Sequence, residues 1–278
     1  MKSVKMLSEQ VFVLTGCASG IGKHMATVLA NAGARVMMTD INVQALDQAV
    51  AQYGWDNERV KCAALDVRDP EGWTTILQET VKHWGRIDVL MNIAGVVQTG
   101  KIPYAQTDQI DFHIDINLKG TLYGCNAIAP ILIQQGHGHI INVASVAGNI
   151  PVPGLSLYSA SKFGVRGFSH AIAADLKPHG ISVTVLCPDA VATPMLDAEA
   201  DMEDSEFVFA GTHILTVEEI EYAILNRILP KAPTEVILPT ASAWLAKLFA
   251  VAPIFSTRIT PLFRSKGLKN RIKYKNNQ

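Results

Sequence analysis

The stretch TGCASGIG at positions 15–22 decides how this chain folds. An apolar run at positions 11–14 precedes it, and apolar residues with helical spacing follow it at positions 25, 28 and 29. The pattern predicts a strand, a glycine-rich turn and a helix. Glycines let a backbone approach a ligand closely, and the free N–H groups at a helix N-terminus attract anions. The turn is therefore expected to hold phosphate groups.

An acidic residue lies where a dinucleotide-binding turn needs one. The next apolar run, positions 35–39, is followed by Asp40, 18 residues after Gly22. In dinucleotide-binding folds an acid about 20 residues on accepts hydrogen bonds from the adenosine ribose, and it would repel a 2′-phosphate. The sequence therefore predicts NAD as cofactor in preference to NADP. We interpret Lys23 as a solvated helix residue and not as a phosphate ligand.

Composition limits the classes of function. A net charge of −1 gives no general reason to expect a nucleic-acid partner. The four cysteines lie far apart and have no metal-binding spacing, which suits a reduced, cytoplasmic protein without a bound metal. The apolar run after Lys2 and Lys5 is too short for a secretory signal, and no uninterrupted apolar run reaches the length of about 18 that a spanning helix needs.

Apolar runs alternate with helix-periodic segments along most of the 278 residues. This alternation predicts an α/β fold with a doubly wound parallel sheet of about seven strands in three layers. The predicted strands are 11–14, 35–39, 60–64, 89–92, 140–144, 182–187 and 235–238. Predicted helices include 43–53, 73–84, 109–134 and 158–177. We place one domain at 1–240 and a helical extension at 241–278.

Further motifs follow the turn in a fixed order. The sequence has NIAG at 92–95, IDINLKG at 114–120, NVASVAG at 142–148 and YSASK at 158–162. With the glycine-rich turn and Asp40, these motifs resemble the short-chain dehydrogenase/reductase family in its compact single-domain form. The resemblance covers residues from about 11 to 193.

The resemblance implies a Rossmann-type fold, a nicotinamide dinucleotide cofactor, interconversion of alcohol and carbonyl groups, and a homodimer or homotetramer assembled through helices 109–134 and 158–177. It implies that Ser145, Tyr158 and Lys162 are catalytic, with Asn117 in support. The implied cofactor contacts are Gly16, Ser19, Gly20, Ile21, Gly22, Asp40, Ile41, Asp66, Val67, Asn92, Ala94, Gly95, Tyr158, Lys162, Pro188, Val191 and Thr193.

The spacing of Tyr158 and Lys162 has a physical meaning of its own. Residues four apart share one face of a helix, so the ammonium can lie near the phenol. Lowering a tyrosine pKa from about 10 to about 7 requires roughly 4 kcal/mol. We expect the ammonium and the positive nicotinamide together to supply it, so that Tyr158 can exchange a proton with the substrate oxygen.

One position departs from the family pattern at the nicotinamide loop, residues 186–193. Asp189 stands where the family has a glycine after Pro188. Because glycine permits backbone conformations that aspartate tolerates less well, the local geometry is in question. A milder departure is Ala144, where the family often has serine.

The segment 194–212 is predicted to be a lid over the substrate. Its apolar residues can face inward, while six acids between positions 197 and 206 are expected to keep it solvated and mobile and to disfavour an anionic substrate. The predicted pocket suits a bulky hydrophobic alcohol or ketone, such as a steroid, retinoid, terpenoid or aromatic alcohol. Its predicted lining, besides Ser145 and Tyr158, is Val97, Val152, Leu155, Met195, Leu196 and Phe207.

The C-terminal extension combines an apolar stretch at 242–255 with seven basic residues and no acid among the last 21. This pattern is compatible with peripheral contact between 242–278 and an anionic membrane surface, or with packing against the body or a neighbouring subunit; we favour packing.

Two other functions stay open: a noncatalytic dinucleotide sensor or scaffold, and a sugar epimerase or dehydratase, for whose separate substrate domain the chain has little room.

Overall fold

A computed structural model describes residues 7–202, 204–211, 213–240 and 254–276, with the backbone alone for 254–263. The strands are β1 Val11–Thr15, β2 Arg35–Asp40, β3 Val60–Ala64, β4 Val89–Asn92, β5 Gly138–Val143, β6 Ile181–Pro188 and β7 Glu235–Leu238. The helices include α1 Gly20–Asn31, α2 Val43–Tyr53, α3 Pro70–Trp84, α4 Thr107–His113, α5 Gly120–Gln135, α6 Ser156–Leu176, α7 Pro194–Ala200, α8 Val217–Ala223 and α9 Ile254–Lys275.

The strands form one parallel sheet in the order β3-β2-β1-β4-β5-β6-β7. The chain therefore winds outward from β1 in one direction and, after crossing to β4, in the other. The predicted α/β fold with a doubly wound sheet is confirmed. Ligands of such sheets bind beyond the carboxyl ends of the strands where the winding reverses, which here is between β1 and β4.

Both faces of the sheet are buried, which explains why the strands are apolar runs and do not alternate with polar residues. On one face Phe12 and Leu14 pack with Met25 of α1. On the other face Val13 packs with Trp73 of α3. All five side chains are fully buried, and burying a large apolar side chain contributes about 1.5–3 kcal/mol. The sheet and its two helical layers are thus held by an apolar cluster on each face of the sheet.

The helix predicted at 109–134 differs from the observed structure in one respect. Between α4 and α5 the backbone forms a π-helical turn over Ile114–Lys119. A π-helical turn contains an extra residue per turn and is frequent at functional sites. The helical periodicity of the sequence does not distinguish this turn from an α-helix, and Asn117 lies within it.

The C-terminal helix α9 lies against the predicted lid. Arg264 Nε donates to Glu206 Oε1 at 2.7 Å, and Lys275 Nζ lies 2.6 Å from Asp201 Oδ1. Between these ion pairs Gly267 is buried, and a Cβ added there would overlap the Glu206 carbonyl oxygen. The glycine therefore permits the helix backbone to contact the lid backbone directly.

The expectation that the acids keep the lid segment solvated is wrong for two of them. Glu199 and Glu206 are only 2% and 7% exposed. Tyr274 of α9 donates a hydrogen bond to Asp197 Oδ1 at 2.7 Å. For Glu206 the physical reason is that basic Arg264 approaches it from the C-terminal helix. Glu199 has a different reason, because it lines a cavity on the inner side of the lid.

Part of the extension stays a prediction. The apolar stretch proposed for membrane contact or packing, 242–255, lies almost entirely outside the described residues. Within the described part of the chain, no helix combines the length and the apolar character that crossing a bilayer requires.

We predict that Gly267→Ala weakens the contact between α9 and the lid. Replacing glycine by alanine in an unconstrained helix stabilises it by about 1 kcal/mol, whereas here the methyl group would overlap the Glu206 carbonyl. We expect a loss of about 1–3 kcal/mol of unfolding free energy, measured by thermal unfolding. Ser265→Ala, at an exposed position of the same helix, is the control and should cause no loss. A higher thermal midpoint for Gly267→Ala would contradict the observed contact.

Candidate functional site

The glycine-rich turn is held at the ends of the two central strands. Thr15 Oγ1 accepts hydrogen bonds from the amides of Ile93 and Ala94, both at 3.0 Å. Gly16 has φ +71°, and a Cβ there would meet the Ala94 backbone at 2.9 Å. A Cβ at Gly22 would overlap the Gly16 carbonyl. Glycine is therefore required at both positions by close approach of backbone to backbone.

Asp40 fastens the turn to the end of β2. Its Oδ2 accepts a hydrogen bond from the Ala18 amide and its Oδ1 accepts one from the Asn42 amide, each at 2.9 Å. A carboxylate oxygen has two lone pairs, so each oxygen keeps one for another donor. Asp40 thus has a structural role that its sequence position alone does not reveal, and it can still accept hydrogen bonds from a diol.

A cavity lies over the turn, and we call it the turn cavity. It encloses about 1030 Å³, including space open to solvent. Among the residues predicted to contact the cofactor, those that line it are Gly16, Ser19, Gly20, Ile21, Gly22, Asp40, Ile41, Asp66, Val67, Ala94, Gly95 and Thr193. The glycines leave room that side chains would fill, and the lining joins an anion-binding turn to an acid. These features fit a dinucleotide.

Asn92 is not among the residues that line the turn cavity. It is buried, and its Nδ2 donates to Asn142 Oδ1 at 2.8 Å, while Asn142 donates to Ser169 at 2.9 Å. This buried chain of hydrogen bonds connects β4, β5 and α6. The structure therefore places Asn92 behind the strand ends, where it supports them.

A second cavity, which we call the tyrosine cavity, adjoins the first. It is lined by Ser145, Tyr158 and Lys162 together with Pro188 and Val191, so every implied cofactor residue except Asn92 lines one of the two cavities. The two cavities share lining residues, which are Ile21, Ile93, Gly95, Val96, Thr193 and Met195. They form a continuous groove along the carboxyl ends of the central strands.

Tyr158 and Lys162 lie on α6 as the four-residue spacing predicts. Lys162 Nζ is 5.6 Å from the centroid of the Tyr158 ring and donates to the Val143 carbonyl at 3.0 Å. Burial lowers the pKa of Lys162 to about 8. Burial raises the pKa of Tyr158 to about 12, and hydrogen bonding with Ser145 acts in the opposite direction. Lys162 by itself does not produce the lowered tyrosine pKa expected from the sequence.

Asn117 positions the segment beneath Lys162. Its Oδ1 accepts from the Val96 amide at 2.8 Å, and its Nδ2 donates to the Val96 carbonyl at 2.9 Å and to Ser161 Oγ at 3.0 Å. A Cβ added to Gly95 would meet both Asn117 Oδ1 and Lys162 Nζ, at 3.1 Å and 3.3 Å. Asn117 is therefore fully buried next to the lysine and fixes the loop after β4.

The nicotinamide loop accepts Asp189 without backbone strain. Among the described residues other than glycine, only Ala232 has a positive φ, so Asp189 is not in the left-handed region. Its amide donates to the Leu238 carbonyl at 2.8 Å, and its Oδ1 accepts from the Ala190 amide at 2.9 Å. The aspartate side chain thus holds the turn whose geometry was in question.

The residues predicted to line the substrate pocket lie around one cavity. Val97, Val152, Leu155, Met195, Leu196 and Phe207 all line the tyrosine cavity. The sequence interpretation missed Glu199, which also lines it. A signal was present, because Glu199 follows Met195 by four residues and Leu196 by three, and such residues share a helix face.

Comparisons with known proteins identify the family that the chain is similar to. The family model described as short chain dehydrogenase matches residues 10–204. An uncharacterised oxidoreductase of Staphylococcus saprophyticus is 37% identical over 191 residues, covering 68% of this chain and 81% of that protein. One from Staphylococcus aureus strain USA300 is 34% identical over 193 residues, covering 69% and 83%.

Solved structures share the fold. A short-chain dehydrogenase/reductase from Burkholderia phymatum in complex with NAD has a TM-score of 0.79 at 22% identity, covering 89% of this chain and 95% of that one. The structure of ElxO with NADP bound has a TM-score of 0.73 at 24% identity, covering 82% and 96%. At these identities the likeness shows the fold alone.

We predict that Lys162→Met stabilises the cofactor-free protein at pH 7. The Lys162 pKa falls from 10.5 to about 8 in the fold. Above pH 10.5 the amine is neutral in both states and does not lower stability, and the folded protein loses stability as the pH falls toward 8. Below pH 8 the buried charge costs up to about 3 kcal/mol. We expect the variant to gain about 1–3 kcal/mol in denaturant unfolding at pH 7, with the gain shrinking toward pH 10.

The matched control for this prediction is Lys177→Met at an exposed position, whose effect should not depend on pH over the same range. A Lys162→Met gain that stays constant with pH would mean that the buried charge is not its cause.

Proposed function

The chain belongs to the short-chain dehydrogenase family, and on that premise we propose that it is an NAD-dependent oxidoreductase that interconverts an alcohol and a ketone or aldehyde. Family membership makes it an oxidoreductase whose fold binds a nicotinamide dinucleotide. The observation that carries the finer proposal is the position of Ser145, Tyr158 and Lys162 around one cavity that continues into the turn cavity. All three groups of the proposed catalytic set are present, which disfavours a noncatalytic sensor.

In the proposed reaction Tyr158 exchanges a proton with the substrate oxygen. When bound, the nicotinamide accepts or supplies hydride, and in its oxidised form it adds a positive charge. The Tyr158 phenolate accepts the alcohol proton during oxidation, and the neutral Tyr158 phenol donates a proton to the carbonyl oxygen during reduction. The Ser145 hydroxyl donates a hydrogen bond to the same oxygen and orients it.

The electrostatics explain why the proposed site depends on its cofactor. Burial raises the pKa of Tyr158 to about 12 and lowers the pKa of Lys162 to about 8. A second positive charge near Tyr158 favours the phenolate and opposes the effect of burial. Tyr158 therefore becomes an efficient base only when oxidised cofactor and lysine act together.

The tyrosine cavity supports an apolar substrate. It encloses about 920 Å³, including the part open to solvent, and most of its lining residues are apolar. We infer a bulky hydrophobic alcohol or carbonyl compound, such as a steroid, retinoid, terpenoid or aromatic alcohol. The apolar lid residues would exclude water from the reacting carbon when the substrate is bound.

The surroundings of Asp40 support NAD over NADP. Its carboxylate lines the turn cavity at the position where an adenosine ribose is expected. Arg68 also lines this cavity, but it forms a bidentate pair with Asp66, with its Nη2 2.6 Å from Asp66 Oδ2. The Arg68 guanidinium is thus occupied by another carboxylate, and a 2′-phosphate would meet the negative charge of Asp40.

Exposed apolar side chains support a homodimer or homotetramer. Ile110 and Phe112 of α4, Ile133 of α5 and Phe163 of α6 are each about two-fifths exposed. These helices are the ones that the resemblance assigns to subunit contacts. A second copy of the chain would cover this apolar surface. The cytoplasmic location stays a prediction.

We predict that Tyr158→Phe lowers kcat at least 100-fold because the proton exchange loses its acid–base group. The dissociation constant for NADH, followed by cofactor fluorescence, should change less than threefold. Tyr53→Phe, at an exposed position distant in sequence from Tyr158, is the control and should leave both kcat and the NADH dissociation constant unchanged. Turnover retained by Tyr158→Phe would remove Tyr158 from its proposed role.

We predict that kcat/KM is at least tenfold higher with NAD than with NADP, and that Asp40→Ser narrows this ratio mainly by weakening NAD use. Charge-assisted hydrogen bonds of this kind contribute about 1.5–3 kcal/mol, or roughly 10- to 100-fold. Asp47→Ala removes one exposed charge nearby and should leave the ratio unchanged. A wild-type preference for NADP would refute the argument from Asp40.

A further inference from the structure

A buried carboxyl group lines the tyrosine cavity without a complete set of partners. Glu199 lies on α7 within the lid and is 2% exposed. Its Oε2 has no hydrogen-bond partner within the described part of the protein. The hydroxyl and the backbone amide of Thr99 lie close enough to Glu199 to favour its carboxylate form, but neither Glu199 Oε2 nor the Thr99 hydroxyl makes a hydrogen bond of good geometry. Buried polar groups are normally hydrogen-bonded, so an orphaned one needs an explanation.

Glu199 and Tyr158 line the same cavity and interact electrostatically. Burial raises the pKa of the Glu199 carboxyl, and the negative charge of Glu199 in turn raises the pKa of Tyr158. An acid here opposes the formation of a tyrosine phenolate. Glu199 therefore lowers the stability of the free protein and opposes deprotonation of the proposed base. A residue with both of these disadvantages is explained if it binds the substrate.

A second buried acid of the same segment provides a contrast. Glu206 is 7% exposed and also has an unpartnered Oε2, but its Oε1 accepts from Arg264 at 2.7 Å. Glu206 does not line the tyrosine cavity, and its ion pair with α9 accounts for its place in the fold. No ion pair joins Glu199 to a cation among the described residues.

We propose that Glu199 binds a hydrogen-bond donor on the substrate, a hydroxyl or an ammonium group, at a distance from the carbon that is oxidised or reduced. This inference rests on the proposed function and narrows its substrate class. The substrate then has an apolar body, matched by Val97, Leu155 and Phe207, and one polar group matched by Glu199. A wholly apolar alcohol would leave the carboxyl without a partner, and such a site discriminates strongly against it.

The experiment compares three probes built on one ring: cyclohexanol, trans-cyclohexane-1,4-diol and trans-4-aminocyclohexanol. Binding to the full-length protein loaded with NADH is measured by calorimetry, and oxidation is measured separately with NAD. We expect at least one of the two donor-bearing probes to bind at least tenfold more tightly than cyclohexanol. Preference for the amine identifies an ammonium group as the donor, and preference for the diol identifies a hydroxyl.

The variants test whether Glu199 is the cause. Glu199→Leu should abolish the preference without lowering the thermal midpoint, because it removes a buried carboxyl whose partners are incomplete. Glu199→Gln keeps an acceptor and the side-chain size, so it should retain part of a preference for the diol and lose a preference for the amine. It also provides a test if the leucine variant fails to fold. Glu206→Gln is the matched control and should leave the probe preference unchanged.

Two results would overturn the inference. One is a wild type that binds all three probes equally, and the other is a preference that survives in both Glu199 variants. A lowered thermal midpoint with an unchanged preference would assign Glu199 to supporting Thr99 and the lid. If donor-bearing probes bind through Glu199 and none is oxidised, the proposed alcohol oxidation fails and the binding role of Glu199 stands.

Discussion

The site depends on how the glycine-rich turn is held between three strand ends. Thr15 binds the amides after β4, and Asp40 binds the amide of Ala18 from the end of β2. These hydrogen bonds act where the winding of the sheet reverses, so the turn faces the groove between β1 and β4. Because Gly16 and Gly22 touch backbone directly, side chains larger than hydrogen cannot be accommodated there. The rest of the groove is arranged around this rigid edge.

The part of the groove formed by the tyrosine cavity is different, because several of its side chains lower the stability of the free protein. Lys162 is buried with a lowered pKa, Tyr158 has a raised pKa, and Glu199 has an unpartnered oxygen. Each of these groups would be more stable in water or beside a full set of partners. Sites that bind and react commonly carry such costs, since an interaction saved for a ligand is missing from the free protein. The buried hydrogen bonds from Asn92 to Asn142 and from Asn142 to Ser169 instead join β4, β5 and α6 behind the groove.

The lid and the C-terminal helix show where reasoning from the sequence was insufficient. Six acids in a row of ten residues indicate a solvated segment when only local charge is considered, and the prediction was wrong for Glu199 and Glu206. The basic partner of Glu206, Arg264, is 58 residues away along the chain and becomes a neighbour only in the fold. Glu199 is buried instead beside a cavity lined by segments far from it in sequence. Gly267 then allows α9 to approach the lid backbone. No local pattern could predict that contact, because nothing near Gly267 in the sequence indicates which surface it meets.

The sequence by itself determined the parallel sheet, its strand positions to within about two residues, and the residue types of the groove. It could do so because the periodicity of apolar residues and the spacing of glycines and acids are local properties of the chain. The tertiary structure alone decided that Asn117 lies in a π-helical turn, that Asp40 also fastens the glycine-rich turn, and that Asp189 avoids a left-handed backbone. It also decided that Glu199 faces the tyrosine cavity instead of solvent. The reason is that the burial of a side chain and its hydrogen-bond partners depend on segments far apart in sequence. Local residue spacing does not show which of these segments come into contact.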